Sequence, residues 1–153
     1  MTIDSFLSQL CEHCGVAADD ITVTVEENDE EVLIQLELPE SESGLFIGSH
    51  GETLDSIQRI TRLAFQREMG EKRIRLNINQ YREQRQEKLA DMALSIAEKV
   101  VESGESHTIG YYLPAHERFL IHSTLSEHEE YSEKVESVSN GQGRDRRITI
   151  QAK

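Results

Sequence analysis

The sequence predicts an α/β (α+β) chain of two small modules, and three observations carry that reading. Short runs alternating apolar and polar residues are interleaved with longer runs whose apolar residues recur at three and four. Each run is bounded by Gly, Pro or an Asn-containing turn. A length of 153 residues, with no internal repeat, suits one compact domain or two very small ones.

The elements follow in order. Residues 3–14 place Phe6, Leu7, Leu10, Cys11 and Cys14 at helical spacing, and Gly15 closes the helix. ITVTVEEN (21–28) and EVLIQLELP (31–39) read as strands on either side of Asn28-Asp29, with Pro39 stopping the second. PESES reads as an acidic loop. A short helical turn, a glycine-bounded loop and a long helix ending at Gly70 follow, with Leu54, Ile57, Thr61 and Ala64 as the buried stripe and Ile60 and Leu63 at its edge. That register turns Arg59, Arg62 and Arg67 outward. RIRLNIN (73–79) is a third strand. From Tyr81 to about Ser103 the positions Leu89, Met92, Ile96, Ala97 and Val100 define a long helix, with Arg82, Arg85 and Lys88 together on its first turns. HTIGYYL (107–113) reads as a strand, Pro114 opens a helix to about Ser126, and KVESVS and RRITIQ form a hairpin turning through Asn140-Gly141. Modules at 1–80 and 81–153 result, the second including the long connecting helix.

Charge is distributed unevenly. The formal net charge is -13, yet no Lys or Arg precedes Arg59, while fourteen Asp and Glu lie between Asp4 and Asp55. An acidic average opposes nonspecific binding to nucleic acid or an anionic membrane, so any anion-binding surface has to be local. Its basic side chains come from the middle of the chain and from the cluster Arg144, Arg146 and Arg147. The start, MTIDSFLSQL, lacks a basic signal-peptide region, and no apolar run reaches membrane length, which predicts a cytoplasmic protein without membrane contact. The lone CEHC pair, Cys11 and Cys14, lacks a second ligand pair for a closed zinc site; its helical spacing makes both cysteines small buried hydrophobes. No metal and no cofactor is expected.

The stretch GLFIGSHGETLDSIQ (44–58) carries the chemistry. Gly48 and Gly51 flank Ser49-His50 at a helix entrance, a spacing that permits tight backbone geometry and leaves helix N-H groups to receive phosphate. A GxxG loop of this kind clamps about four nucleotides of backbone in one class of RNA-binding module. Four letters alone also fit a sharp turn that needs glycines.

With its surroundings the stretch resembles the loop of the K-homology (KH) domain, and the element order of residues 1–80 resembles the bacterial type II topology: a three-stranded sheet with helices on one side. NQYREQRQEKLADMALSIAEKV continues the likeness. LPAHERFLIHSTL then resembles the helix of the small α/β domain named for Arg and His four residues apart, here Arg118 and His122, and GRDRRITIQ its Arg-rich last strand. Their order is similar to that of the Jag, or SpoIIIJ-associated, family of bacterial proteins. The resemblance implies single-stranded RNA as ligand, with single-stranded DNA as a variant, a small KH-domain protein as a partner, and no catalytic step. Carried over by position, Gly48, Ser49, His50 and Gly51 are the clamp, and Arg118 and His122 mark a second site supported by Arg144, Arg146 and Arg147; the outward Arg59 and Arg62 are the cations expected to extend a positive track from the clamp. The ordinary alternative at that second site has His122 packed internally and Arg118 paired with Glu117 or Glu129.

Two departures from the family pattern stand out. Ser49 and His50 occupy loop positions that are commonly basic, and Glu52 follows at once, which weakens the loop for phosphate. The sequence also has no counterpart of the N-terminal Jag domain of many relatives, so no membrane-proximal or division role is carried over. No HExxH, GxSxG or GxxxxGK[ST] arrangement offers an active site. An acidic protein-interaction module with a degenerate KH loop remains the competing expectation.

Overall fold

The computed structural model describes all residues, 1–153, and divides into two compact units, Met1–Arg82 and Glu83–Lys153. The first contains α1 (Ile3–His13), β1 (Thr22–Glu27), β2 (Glu31–Glu37), α2 (Glu40–Ile47), α3 (Glu52–Ala64), the short α4 (Gln66–Met69) and β3 (Arg73–Ile78). Its sheet has the order β1-β2-β3, antiparallel between β1 and β2 and parallel between β2 and β3. Alternation decides the faces: Val32, Ile34 and Leu36 of β2 and Ile74, Leu76 and Ile78 of β3 are buried with Leu7, Phe46, Leu54 and Ile57 from the helices.

Several local expectations are corrected. PESES is not all loop, because Pro39 is the N-cap of α2 and Glu40–Ser43 are its first turn. The helix expected to run unbroken to Gly70 kinks at Phe65 (φ -105°, ψ 10°). That break buries Phe65, edge-on to Phe6 with ring centroids 5.7 Å apart, and leaves Ala64 exposed instead of in the stripe. The cysteines also separate. Cys11 is buried and its thiol is pushed up to about 11, by burial first and then by Cys14 and Glu12. Cys14 lies one residue past the end of α1 and is exposed, contrary to the expectation that both are buried.

The second unit contains α5, which spans Tyr81–Ser103 and so begins in the first unit, then β4 (His107–Thr108), α6 (Ala115–Glu127), β5 (Val135–Asn140) and β6 (Arg147–Ala152). Its antiparallel sheet has the order β4-β6-β5. Leu89, Ala93, Ile96, Ala97 and Val100 of α5 pack with Ile121 and Leu125 of α6 and with Ile148 and Ile150 of β6. The strand expected at 107–113 shrinks to two residues, continued by one Ile109 N-H to Ile148 carbonyl bond, 2.9 Å, before Gly110. The hairpin turn is also longer than Asn140-Gly141: residues 141–146 separate the strands, with a 3-10 turn at Gly143–Asp145.

Candidate nucleic-acid interface

Four consecutive residues make the first candidate surface. Gly48 (φ 71°, ψ -175°) ends α2, Ser49–Gly51 form a 3-10 turn, His50 is left-handed (φ 53°, ψ 22°), and Gly51 (φ 81°, ψ 13°) is the N-cap of α3. Gly48 has to be glycine twice over. Its backbone lies where an L side chain is strained, and a Cβ there would overlap Thr53 Oγ1 and lie 2.8 Å from Thr53 Cβ. At Gly51 a Cβ would lie 3.1 Å from Cε1 of Tyr81, so the ring at the start of α5 rests against the loop. Ser49 is exposed and His50 half-buried. No side-chain cap bond comes from Gly51, and the first turn of α3 carries Glu52 and Asp55. Arg59 and Arg62 are exposed, but at 1.5 Å per residue they begin about 12 Å beyond Gly51 along α3.

What sequence reasoning missed here is the segment after β3. Asn79 takes φ 48° and Gln80 φ 56°, and the Asn79 side chain bonds Leu38 both ways, accepting from its N-H at 2.9 Å and donating to its carbonyl at 2.8 Å. The chain is thereby turned so that Arg82 reaches back. Its Nε donates to the Leu76 carbonyl (3.2 Å) and its Nη2 to Asp55 Oδ1 (2.9 Å), with Gln58 Oε1 at 3.4 Å. Of the basic residues on the first turns of α5, which does begin at Tyr81, Arg82 and Arg85 are both held in ion pairs. Arg85 forms a forked pair with Glu117, Nε to Oε1 at 2.7 Å and Nη2 to Oε2 at 3.0 Å, and Glu117 is only 2% exposed.

The second candidate surface lies in the other unit. Arg118 and His122 are both half-buried on α6. Arg118 turns to the backbone instead of to Glu117 or Glu129: Nη1 donates to the Leu113 carbonyl at 2.8 Å. His122 sits between two serines of β5, Nδ1 2.6 Å from Ser137 Oγ and Nε2 3.1 Å from Ser139 Oγ. Burial, with the positive charges of Arg118 and Arg146, holds the imidazole below its ordinary value. It is therefore neutral at pH 7, one nitrogen donating and the other accepting. Arg144 and Arg146 are exposed, whereas Arg147 is half-buried and donates to the carbonyls of Arg144 (2.7 Å) and Arg146 (3.1 Å), stiffening the turn. Between α6 and β5 runs a groove of about 430 Å³ lined by Phe119, His122, Ser123, Ser126, Ser137 and Lys153. Phe119 is 72% exposed. The serines alternate along VESVS, a signal readable only once His122 is known to face that strand.

A glycine loop between two helices over a mixed three-stranded sheet, followed by a helix presenting Arg and His over an antiparallel sheet, defines a KH domain joined to an Arg-xxx-His domain. Family models agree: "KhpA/KhpB, KH domain" matches residues 4–78, and the model of the Arg-xxx-His domain matches residues 87–152. The chain is 32% identical over 149 residues to a protein of Clostridium symbiosum, covering 97% of this chain and 64% of that one. It is 30% identical over 132 residues to one of Bacillus subtilis, covering 86% and 61%. Both bear the name "RNA-binding protein KhpB", as does a Streptococcus pneumoniae relative 28% identical over 132 residues, covering 86% of this chain and 39% of that one. The chain thus joins a KH domain of the KhpA/KhpB type to an Arg-xxx-His domain and is similar over most of its own length to proteins named KhpB, spanning a little under two thirds of the length of the first two relatives.

Proposed function

We propose that this chain binds single-stranded RNA without catalysing a reaction, and that single-stranded DNA is the variant ligand. The observation that carries the reading is the loop itself: positive φ at Gly48, His50 and Gly51 folds a tight turn, with Ser49 exposed, at the entrance of α3, where N-H groups and the helix dipole favour phosphate. Gly48, Ser49, His50 and Gly51 form the clamp, with Arg59 and Arg62 further along. Arg118, His122, Arg144, Arg146 and Arg147 make the second contact, where a guanidinium engages phosphate or stacks on a base beside a neutral imidazole. The relatives' name supports the ligand class. No helix is long and apolar enough to cross a membrane, which accords with a cytoplasmic site of action.

The test is a titration of short single-stranded RNAs followed by backbone amide shifts. Residues 48–52 and α6 are expected to move, and Ser49→Asp with His50→Asp is expected to weaken binding at least tenfold with an unchanged circular dichroism spectrum. Native-like affinity of that folded double variant removes the loop from the site. A small KH-domain partner is the second element of the proposal, supported by the exposed Ile60 (55%) and Leu63 (63%) on α3. Binding of a KH protein that survives Ile60→Asp and Leu63→Asp moves that contact elsewhere.

A further inference from the structure

The glycine loop poses a physical problem: neither Ser49 nor His50 carries the permanent charge of Lys or Arg, and Glu52 and Asp55 stand in the first turn of the helix that should receive phosphate. A carboxylate there competes with a phosphate for the same helix end. Asp55, however, is paired with Arg82, which arrives from a different element. The guanidinium is fixed by the Leu76 carbonyl and Asp55, and its side chain keeps 28% exposure. The residue before it, Tyr81, lies against Gly51, which places this segment at the loop. Asn77 Oδ1, in a residue 3% exposed, accepts from the Arg82 backbone N-H at 3.4 Å, and Asn79 ties the approach to Leu38.

We infer that Arg82 is the phosphate-binding cation of the glycine loop, supplied from beyond β3 and aimed by Asp55. The inference rests on the RNA-binding reading above. Asp55 here orients a cation through a single charge-assisted bond, Nη2 to Oδ1 at 2.9 Å. Arg82 is tied to the loop end of α3 through Asp55, which lies about 6 Å along the helix from Gly51, against about 12 Å for Arg59. An arginine already desolvated on one edge and held in one rotamer loses less entropy on meeting phosphate than a free surface lysine.

The experiment compares wild type, Arg82→Gln, Arg82→Lys and Asp55→Asn against an octauridylate, with affinity measured over a range of KCl concentrations. Arg82→Gln is expected to weaken binding about tenfold and to reduce the slope of log affinity against log salt by about 0.7, one phosphate contact on a single strand. Arg82→Lys keeps the slope while losing part of the affinity, because its ammonium cannot span Leu76 and the ligand together. Asp55→Asn leaves the slope intact. A merely structural arginine would instead lower affinity equally in the Gln and Lys variants with no change of slope, and that result overturns the assignment. Should Arg82→Gln unfold, the wild-type protein still decides: the Arg82 guanidinium N-H resonances shift with RNA, or the assignment is wrong. Failure of wild type to bind any single-stranded RNA sinks the functional reading itself, whereas binding that ignores Arg82 sinks only this inference.

Discussion

Gly48→Ala isolates what the loop backbone demands. The residue sits at φ 71°, ψ -175°, and holding a non-glycine residue in such a region costs about 1–3 kcal/mol. The new methyl also meets three atoms of Thr53: it overlaps Oγ1 and lies 2.8 Å from Cβ and 2.9 Å from the backbone N. The hydroxyl can rotate away, but Cβ and N are fixed by α3, so relief needs a backbone shift costing a further ~1–3 kcal/mol. Together the expected loss is roughly 2–6 kcal/mol, a large part of the 5–15 kcal/mol typical of a domain. Gly51→Ala is milder: a left-handed alanine costs about 1–2 kcal/mol, and its close contact is the edge of the Tyr81 ring, which can move. Native-state hydrogen exchange at the Ile34 and Leu36 amides of the central strand β2 reports each loss inside the first unit. Adding Thr53→Ala to Gly48→Ala should restore little, since the fixed contacts survive. A Gly48→Ala variant within about 1 kcal/mol of wild type, or full recovery in the double variant, would refute the reasoning and show a loop that relaxes freely.

Three further outcomes are expected. Arg85→Ala leaves the buried Glu117 carboxylate without its forked partner and should cost about 3 kcal/mol in the second unit by urea unfolding, while replacing both residues by Met should cost less than either single change. Because His122 is held below its ordinary value, the native state binds fewer protons than the unfolded chain once pH drops under about 6.5; stability should fall through that window on acidification, and His122→Gln should flatten the slope. An acidic chain making roughly four phosphate contacts should show a salt slope of about 3 in magnitude for single-stranded RNA, and a slope of about 6 would mean the charge distribution has been misread.

Period and punctuation made most elements legible. The alternation in EVLIQLE and RIRLNI is strict because one sheet face is buried, and the glycines of GLFIGSHG announced a backbone that only glycine tolerates at Gly48. Where tertiary packing overrode local pattern, the reading slipped by a residue or an element. Phe65 outcompeted Ala64 for the core because a ring buries more apolar surface and finds Phe6, and Cys14 fell off the helical face once the chain turned at Gly15. The bonds that shape the candidate surfaces were hidden for another reason. Arg82 with Asp55, Arg85 with Glu117 and His122 with Ser137 span 27, 32 and 15 residues, separations that no local periodicity encodes.

The two borders of the first sheet are guarded by different means. At β3 the outward N-H and carbonyl of Leu76 are taken by Gln58 and Arg82, so a stray strand finds no ladder to join there. At β1 the border is backed by like charge instead: Glu26, Glu27, Asp29, Glu30 and Glu31 crowd that strand and its turn. Repulsion between such edges is screened by salt, whereas a side-chain lid is not. At high ionic strength, then, the chain should begin to self-associate along β1 before it does so along β3, and storage in low salt is the condition that keeps concentrated protein dispersed.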